Sequence, residues 1–209
     1  MDTVTICNMA LMAAGIPAIT SLEDNNNNAK LCKTFYPILR DRVLRDHLWS
    51  FATAFAALQQ TAEDSPDPEY PVICLLPGDI IRVIKLADDS PYCRYGKRIL
   101  VKKYPATLVY IKKVEDPNLF DAAFVEALQN LISAEVVLSA SRDIQMAQYF
   151  KNEYERKLAV ARSIDSAENL HAHQTAAAHS SFIAARYGAA GQKKVGTIQF
   201  VKGNAGKQE

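Results

Sequence analysis

The sequence is short of the features that mark the commoner enzyme, secreted and membrane classes. It has four cysteines in 209 residues, Cys7, Cys32, Cys74 and Cys93. No two form a CxxC pair, and none stands with histidine at zinc-ligand spacing. That argues against a disulfide framework, and all four are read as buried thiols of a reducing cytoplasm. No P-loop, GxSxG, GxGxxG or HExxH pattern occurs, nor a deaminase HxE with PCxxC. No apolar run is read as approaching the ~20 residues of a membrane span. The opening MDTVTICNMALMAAG lacks a basic region and carries an acid at position 2, so no secretory leader is expected and the chain should stay soluble. Charge of one sign is scarce too. With 24 Lys+Arg against 23 Asp+Glu the net charge is +1, and nothing draws the chain as a whole to nucleic acid or membrane. There is one tryptophan, Trp49, and it stands where a charged stretch gives way to an alanine-rich one, RVLRDHLWSFATAFAALQQ.

What is present is mostly helical period. Val4, Cys7, Ala10, Leu11 and Ala14 recur at helical spacing, and Gly15 with Pro17 should end that helix. The polar turn SLEDNNNNAK supplies an N-cap for helix two, from about Asn28 to Leu48. Cys32, Phe35, Leu39 and Val43 form its apolar stripe, and Pro37 should kink or split it. Its other face carries Lys30, Lys33, Arg40, Asp41, Arg45 and Asp46, read as a solvated or subunit-pairing surface. EDSPDPEYP, residues 63–71, is an exposed connector. The β-branched runs at 72–77, 79–86, 98–101 and 107–114 predict a small antiparallel sheet. Asp116 and Pro117 should open helix three, with Phe120, Phe124, Ala127, Leu128, Leu131, Ala134 and Leu138 inward. Helix four is expected from about Asp143 to Leu170, with Ile144, Ala147, Tyr154, Leu158 and Ala161 inward, antiparallel to helix three.

The expected fold is therefore mainly α with a β insert, an α+β chain. It is a four-helix bundle with a small antiparallel sheet between helices two and three, and an extended C-terminal tail. Residues 1–60 and 117–169 make the bundle, 61–116 the β insert and 170–209 the arm. From Leu170 to Glu209 there are five Lys/Arg and one acid, so the arm carries +4 and the rest −3. Its composition predicts flexibility until a partner orders it.

The search for chemistry returns little. Adjacent helical residues diverge, so Asp46 and His47 are no dyad, and His47 is read as a capping or interfacial side chain. His171, His173 and His179 lack a third rigid ligand, so no metal site is expected. No cofactor and no catalytic residues are assigned. Glu63, Asp64, Asp67 and Glu69 read as a solvated acidic loop, with no apolar wall to raise a carboxyl pKa. Arg82, Lys85, Arg94, Lys97, Arg98, Lys102, Lys103, Lys112 and Lys113 make the insert basic, with Tyr92, Tyr95, Tyr104 and Tyr110 interleaved. That mixture can serve a nucleic-acid-binding module, the first rival reading, although a charged solvent face is the simpler one. A tail-associated cell-wall hydrolase is the second rival and would need two carboxylates in a cleft or a metal.

Several segments, in order, resemble one known family. They are ALMAAGIPAITSLEDNNNNAKLC (10–32), YPILRDRVLRDHLWSFATAFAAL (36–58), LLPGDIIRV (75–83) and LVYIKKVEDPNLFDAAFVEALQNLISAEV (108–136). Together they resemble the head-to-tail adaptor of short-tailed bacteriophages, the tail tubular protein A family, over roughly residues 1–165. Ser50 stands where the family often has Asn. The resemblance implies a structural virion protein rather than an enzyme. It would form a dodecameric ring between the portal and the tail nozzle, help seat tail fibres, and let DNA out through its lumen without specific binding. It would be made in the host cytoplasm and end in the tail, with no membrane partner. Trp49, Phe51 and Phe124 are expected as structural anchors where helix two meets the sheet. In the arm, KKVGTIQFV is expected to clamp a portal subunit by adding a strand. Lys193 and Lys194 would meet acidic groups, and Val195, Ile198, Phe200 and Val201 would anchor it.

Overall fold

The computed structural model describes residues 1–177, with side chains through Glu168. Residues Met1–Glu168 form one compact unit. Four helices and two small antiparallel sheets make up the described chain. Helix α1 spans Thr3–Ala13, capped by Asp2, whose carboxylate accepts from the Thr5 amide at 2.7 Å. It ends in a Schellman turn. The Ile16 amide reaches Leu11 O (2.9 Å), the Gly15 amide reaches Met12 O (3.0 Å), and Gly15 sits at φ +67°. A Cβ at Gly15 would meet no neighbour within 4 Å, so only backbone strain opposes one. Gly15→Ala is expected to cost about 1 kcal/mol, read from a denaturant midpoint. Asn8 then fixes the returning chain by bonding both the amide and the carbonyl of Ile19, at 2.8 Å each.

Helix α2 spans Asn27–Asp46, with Asn26 as its cap. It runs through Pro37 without interruption, so of the kink or split expected there the split does not occur. A second expectation fails nearby. Arg40 is not on a solvated face: it is only 5 % exposed, lying between Tyr36 and Leu44, with its guanidinium against Asp41 and over the Tyr36 ring. Cys7 and Cys32 face each other where α1 meets α2. The hydrogen bond between the thiols, with burial, pushes the Cys7 thiol far above its ordinary range. Cys74 is buried too, but Cys93 is exposed, against the expectation for all four, because its edge strand turns it outward.

Strands β1 (Thr53–Ala57), β7 (Thr107–Lys112) and β4 (Ile80–Leu86) form one sheet, in the order β1-β7-β4. Strands β2 (Gln59–Gln60), β3 (Val72–Leu75), β6 (Arg98–Val101) and β5 (Tyr92–Tyr95) form the other, in the order β2-β3-β6-β5. The single sheet expected over 61–116 is therefore two, and strand structure starts at Thr53, inside the stretch assigned to helices. Only Leu58 separates β1 from β2, and its amide bonds Ala106 O at 2.9 Å, so one stretch serves both sheets. Ala54 and Ala56 pair with Tyr110 and Leu108, and small residues beside large ones let the sheets close over a shared core with Cys74, Ile99 and Val101. β7 is covered on both faces: Leu108 and Tyr110 point into that core, while Ile111 joins the helical core.

Asp116 and Pro117 open only a 3-10 turn, Pro117–Leu119. Helix α3 follows at Ala122–Ala140, capped by Asp121. With 19 residues and a mean hydropathy of 1.3, α3 is long and apolar enough to cross a membrane by length and composition, contrary to the sequence reading. Ten of its residues are buried in the core. Helix α4 spans Ile144–Ala177. Glu126 pairs with Lys157 and Glu135 with Lys151, so α3 and α4 run antiparallel. Ala147, Tyr154, Leu158 and Ala161 point inward as expected, and so does Phe150. Ile144 and Leu138 do not. Both lie within a turn of the hairpin tip, before the buried face of α4 begins and after that of α3 ends.

Candidate functional site

The most constructed place in the described chain is the end of α2, where RDHLWSF hands over from helix to strand. A helix leaves its last carbonyls without intrahelical partners and carries partial negative charge there. Here no glycine caps it; His47 closes the helix in extended conformation. Side chains from three other segments take the open carbonyls instead. Trp49 Nε1 donates to Val43 O (2.9 Å), Arg82 to Arg45 O (3.3 Å) and Arg162 to Asp46 O (3.1 Å). Two guanidiniums also suit the negative helix end. Arg45 returns a bond to Ile81 O at 2.8 Å, tying α2 to β4 in both directions.

That indole bond explains the position of the single tryptophan. The chain must turn back after His47 for Nε1 to reach the last turn of its own helix. Trp49 is fully buried, edge-on to Phe124 at 5.2 Å and 88°. Phe51 stands 5.9 Å from Trp49 and 5.2 Å from Phe124, and Phe120 closes the group at 4.9 Å from Phe124. Such edge-to-face pairs add about 0.5–1.5 kcal/mol each beyond burial. Trp49, Phe51 and Phe124, the three expected anchors, thus meet in one cluster.

A second feature escaped the sequence reading. Asp165, on α4 and 7 % exposed, reaches into the same turn. Its Oδ1 accepts from the Ser50 amide (2.9 Å) and the Ser50 hydroxyl (2.6 Å), and its Oδ2 lies 3.0 Å from His47 Nε2. Serine, histidine and aspartate therefore meet, but in an order that does not activate a nucleophile. In an acyl-transfer triad the imidazole stands between hydroxyl and carboxylate. Here the carboxylate stands between the other two and holds both, so the cluster fastens α4 to the α2–β1 turn. Earlier on α4 Tyr154 donates to Asp46 Oδ2 at 2.8 Å, and burial together with that carboxylate pushes the Tyr154 phenol well above its ordinary value. Among the described residues no three His, Cys, Asp or Glu side chains are grouped to hold a metal ion.

In the β region the acidic loop is not simply solvated. Glu63 grips Arg98 through both carboxylate oxygens, and Glu69 pairs with Lys102 at 2.7 Å. Tyr110 is a core residue, its hydroxyl donating to Asp79 at 3.1 Å. The residues expected to bind a portal, Lys193, Lys194, Val195, Ile198, Phe200 and Val201, lie outside the described residues. Compared with known proteins, the chain matches no family model and no curated protein.

Proposed function

We propose that this chain is a ring-forming virion adaptor that joins the portal to the tail nozzle of a short-tailed bacteriophage and lines the DNA exit channel. The observation that carries the reading is that its four resemblance-bearing segments lie in one sequence order, and that the most distinctive of them, YPILRDRVLRDHLWSFATAFAAL, builds the junction between helices and sheets. A mechanical role calls for such a stiff joint. It needs no active site, and the Asp165 cluster is arranged as a fastener. Exposed apolar side chains at Ile38, Phe55, Leu75 and Tyr149 offer surface for copies of the chain and for the nozzle.

The helices are, in this reading, one four-helix bundle (residues 1–60 and 117–169) with a β insert at 61–116. Supporting it, residues of all four helices share one apolar cluster: Leu11, Val43, Leu128 and Leu158 are among them. Residues 170–209 are the arm, and 193–201 its portal clamp, repeated around a ring of twelve so that avidity multiplies weak contacts. The arm's +4 charge suits acidic portal groups, and the body's −3 suits a lumen through which DNA phosphates must slide.

Co-sedimentation with the portal ring encoded beside this chain tests the reading. Full-length protein should travel with the portal as one discrete particle, while a chain ending at Asn169 should fold and stay behind. Binding by both would discard the clamp alone. Binding by neither would discard the adaptor.

A further inference from the structure

The four-stranded sheet has an outer face, turned away from the core it shares with its neighbour. Register places Tyr95, Arg98 and Leu75 in one row across β5, β6 and β3, all partly exposed. Alternation along β6 puts Leu100 and Lys102 on the same side as Arg98. This is a basic row with aromatic neighbours, Tyr95 and Tyr70. Lys102 Nζ stands 5.2 Å from the Tyr70 ring centre. Lys97, in the turn before Arg98, carries no ion pair among the described residues.

Over this face lies the acidic loop. The Thr61 amide bonds Ile73 O at 2.9 Å, Glu63 holds Arg98 and Glu69 holds Lys102, so the loop follows β6 from one end to the other. Ile73 and Leu100, a register pair on this face, are each only 2 % exposed although they point away from the inter-sheet core. The loop's carboxylates stand where phosphates of a nucleic-acid strand would stand. Both ion pairs are open to water: Glu63 is 58 % and Glu69 64 % exposed. Exposed pairs of this kind contribute about 0–1 kcal/mol each. A polyphosphate chain can displace the two carboxylates at small cost while the loop stays over Ile73 and Leu100 with Tyr70 in place.

We propose that this outer face is a binding strip for single-stranded nucleic acid, and that the 63–70 loop is its built-in competitor. The strip engages phosphates through Arg98 and Lys102, with Lys97 in the adjoining turn, and unpaired bases through Tyr95 and Tyr70. Unpaired strand is favoured over duplex because the tyrosines can stack only on bases that are free. The proposal stands apart from the adaptor reading and can fail or hold without it.

The test uses the full chain and a fluorescent oligothymidylate of about 30 nucleotides, spanning a few single-strand site lengths. Glu63→Gln with Glu69→Gln should tighten binding about ten-fold at low salt, and steepen the salt slope by about 1.4 for two further phosphate contacts. Glu155→Gln with Glu168→Gln changes the net charge equally on α4 and should shift affinity less than about two-fold, since charges beyond a Debye length are screened. Adding Arg98→Ala and Lys102→Ala to the first pair should restore the parent affinity. An equal gain in the α4 control, an equal gain for duplex, or no gain at all would each overturn the proposal. Should the loop variant fold poorly, amide shifts in the parent decide: at low salt the oligonucleotide should move Tyr95, Arg98 and Lys102, and if they stay fixed the strip is no site.

Discussion

Trp49→Ala loses about 3–5 kcal/mol of stability, a large share of what a domain of this size has. Two losses combine. The first is the packing of a fully buried indole against Phe124, Phe51 and the His47 ring, which lies 4.9 Å away. The second is the donor to Val43 O, whose removal leaves a carbonyl unpaired at a buried helix end, worth about 1–3 kcal/mol. Trp49→Phe separates the two, since it keeps most of the ring and removes only the N–H. It should cost about 1–3 kcal/mol, so the two variants bracket the hydrogen bond. Urea titration followed by circular dichroism at the helix band gives both values; indole fluorescence cannot, because the variants remove the only tryptophan. A Trp49→Ala loss under about 1 kcal/mol would mean that the turn can collapse around the gap and that the junction is softer than its geometry.

The contrast between what could and could not be read beforehand follows the range of the interactions. Local chemistry was legible. The Gly15–Pro17 stop and the asparagine run gave the end of α1 and the start of α2, because caps and left-handed turns act within a few residues. The β-branched strands β3, β4, β6 and β7 were legible for the same reason. Strand β5 fell outside the expected runs, among turn residues. Strands β1 and β2 were not legible either. Thr-Ala-Phe-Ala-Ala and Gln-Gln carry little strand preference of their own; the register with β7, some fifty residues on, makes the first of them a strand. Pro37 does not split α2, because a missing N–H weakens one bond of a helix that tertiary packing on both sides holds together. Arg40 misled because its aliphatic stem packs while its charge finds Asp41 beside it.

Asp165 did leave a trace in the sequence. The inward positions of α4 run Ala147, Phe150, Tyr154, Leu158 and Ala161, and the next step of four lands on an aspartate. A carboxylate on the inward stripe must have partners, but it cannot name them from 115 residues away. The partners lie in the segment that the resemblance singled out, so the missed residue belongs to the same joint as the expected anchors.

Asp165→Ala is accordingly expected to cost about 3 kcal/mol, since it removes at once the acceptor of the Ser50 amide and hydroxyl and the carboxylate beside a mostly buried imidazole. Ser50→Ala and His47→Ala should each cost less, about 1 kcal/mol, and neither should add to Asp165→Ala, because the bonds they remove are already gone. Asp165→Asn keeps one oxygen for Ser50 and offers N–H to His47, so it should recover at least half of the loss if the cluster is a fastener whose value lies in its hydrogen bonds. Hydrogen exchange locates the effect. Amides of α4 around Arg162–Asp165 should open in Asp165→Ala while those of α3 stay protected, since α3 is held by apolar packing and not by the bonds of Asp165. If exchange rises equally in both helices, Asp165 supports the whole unit and not this joint.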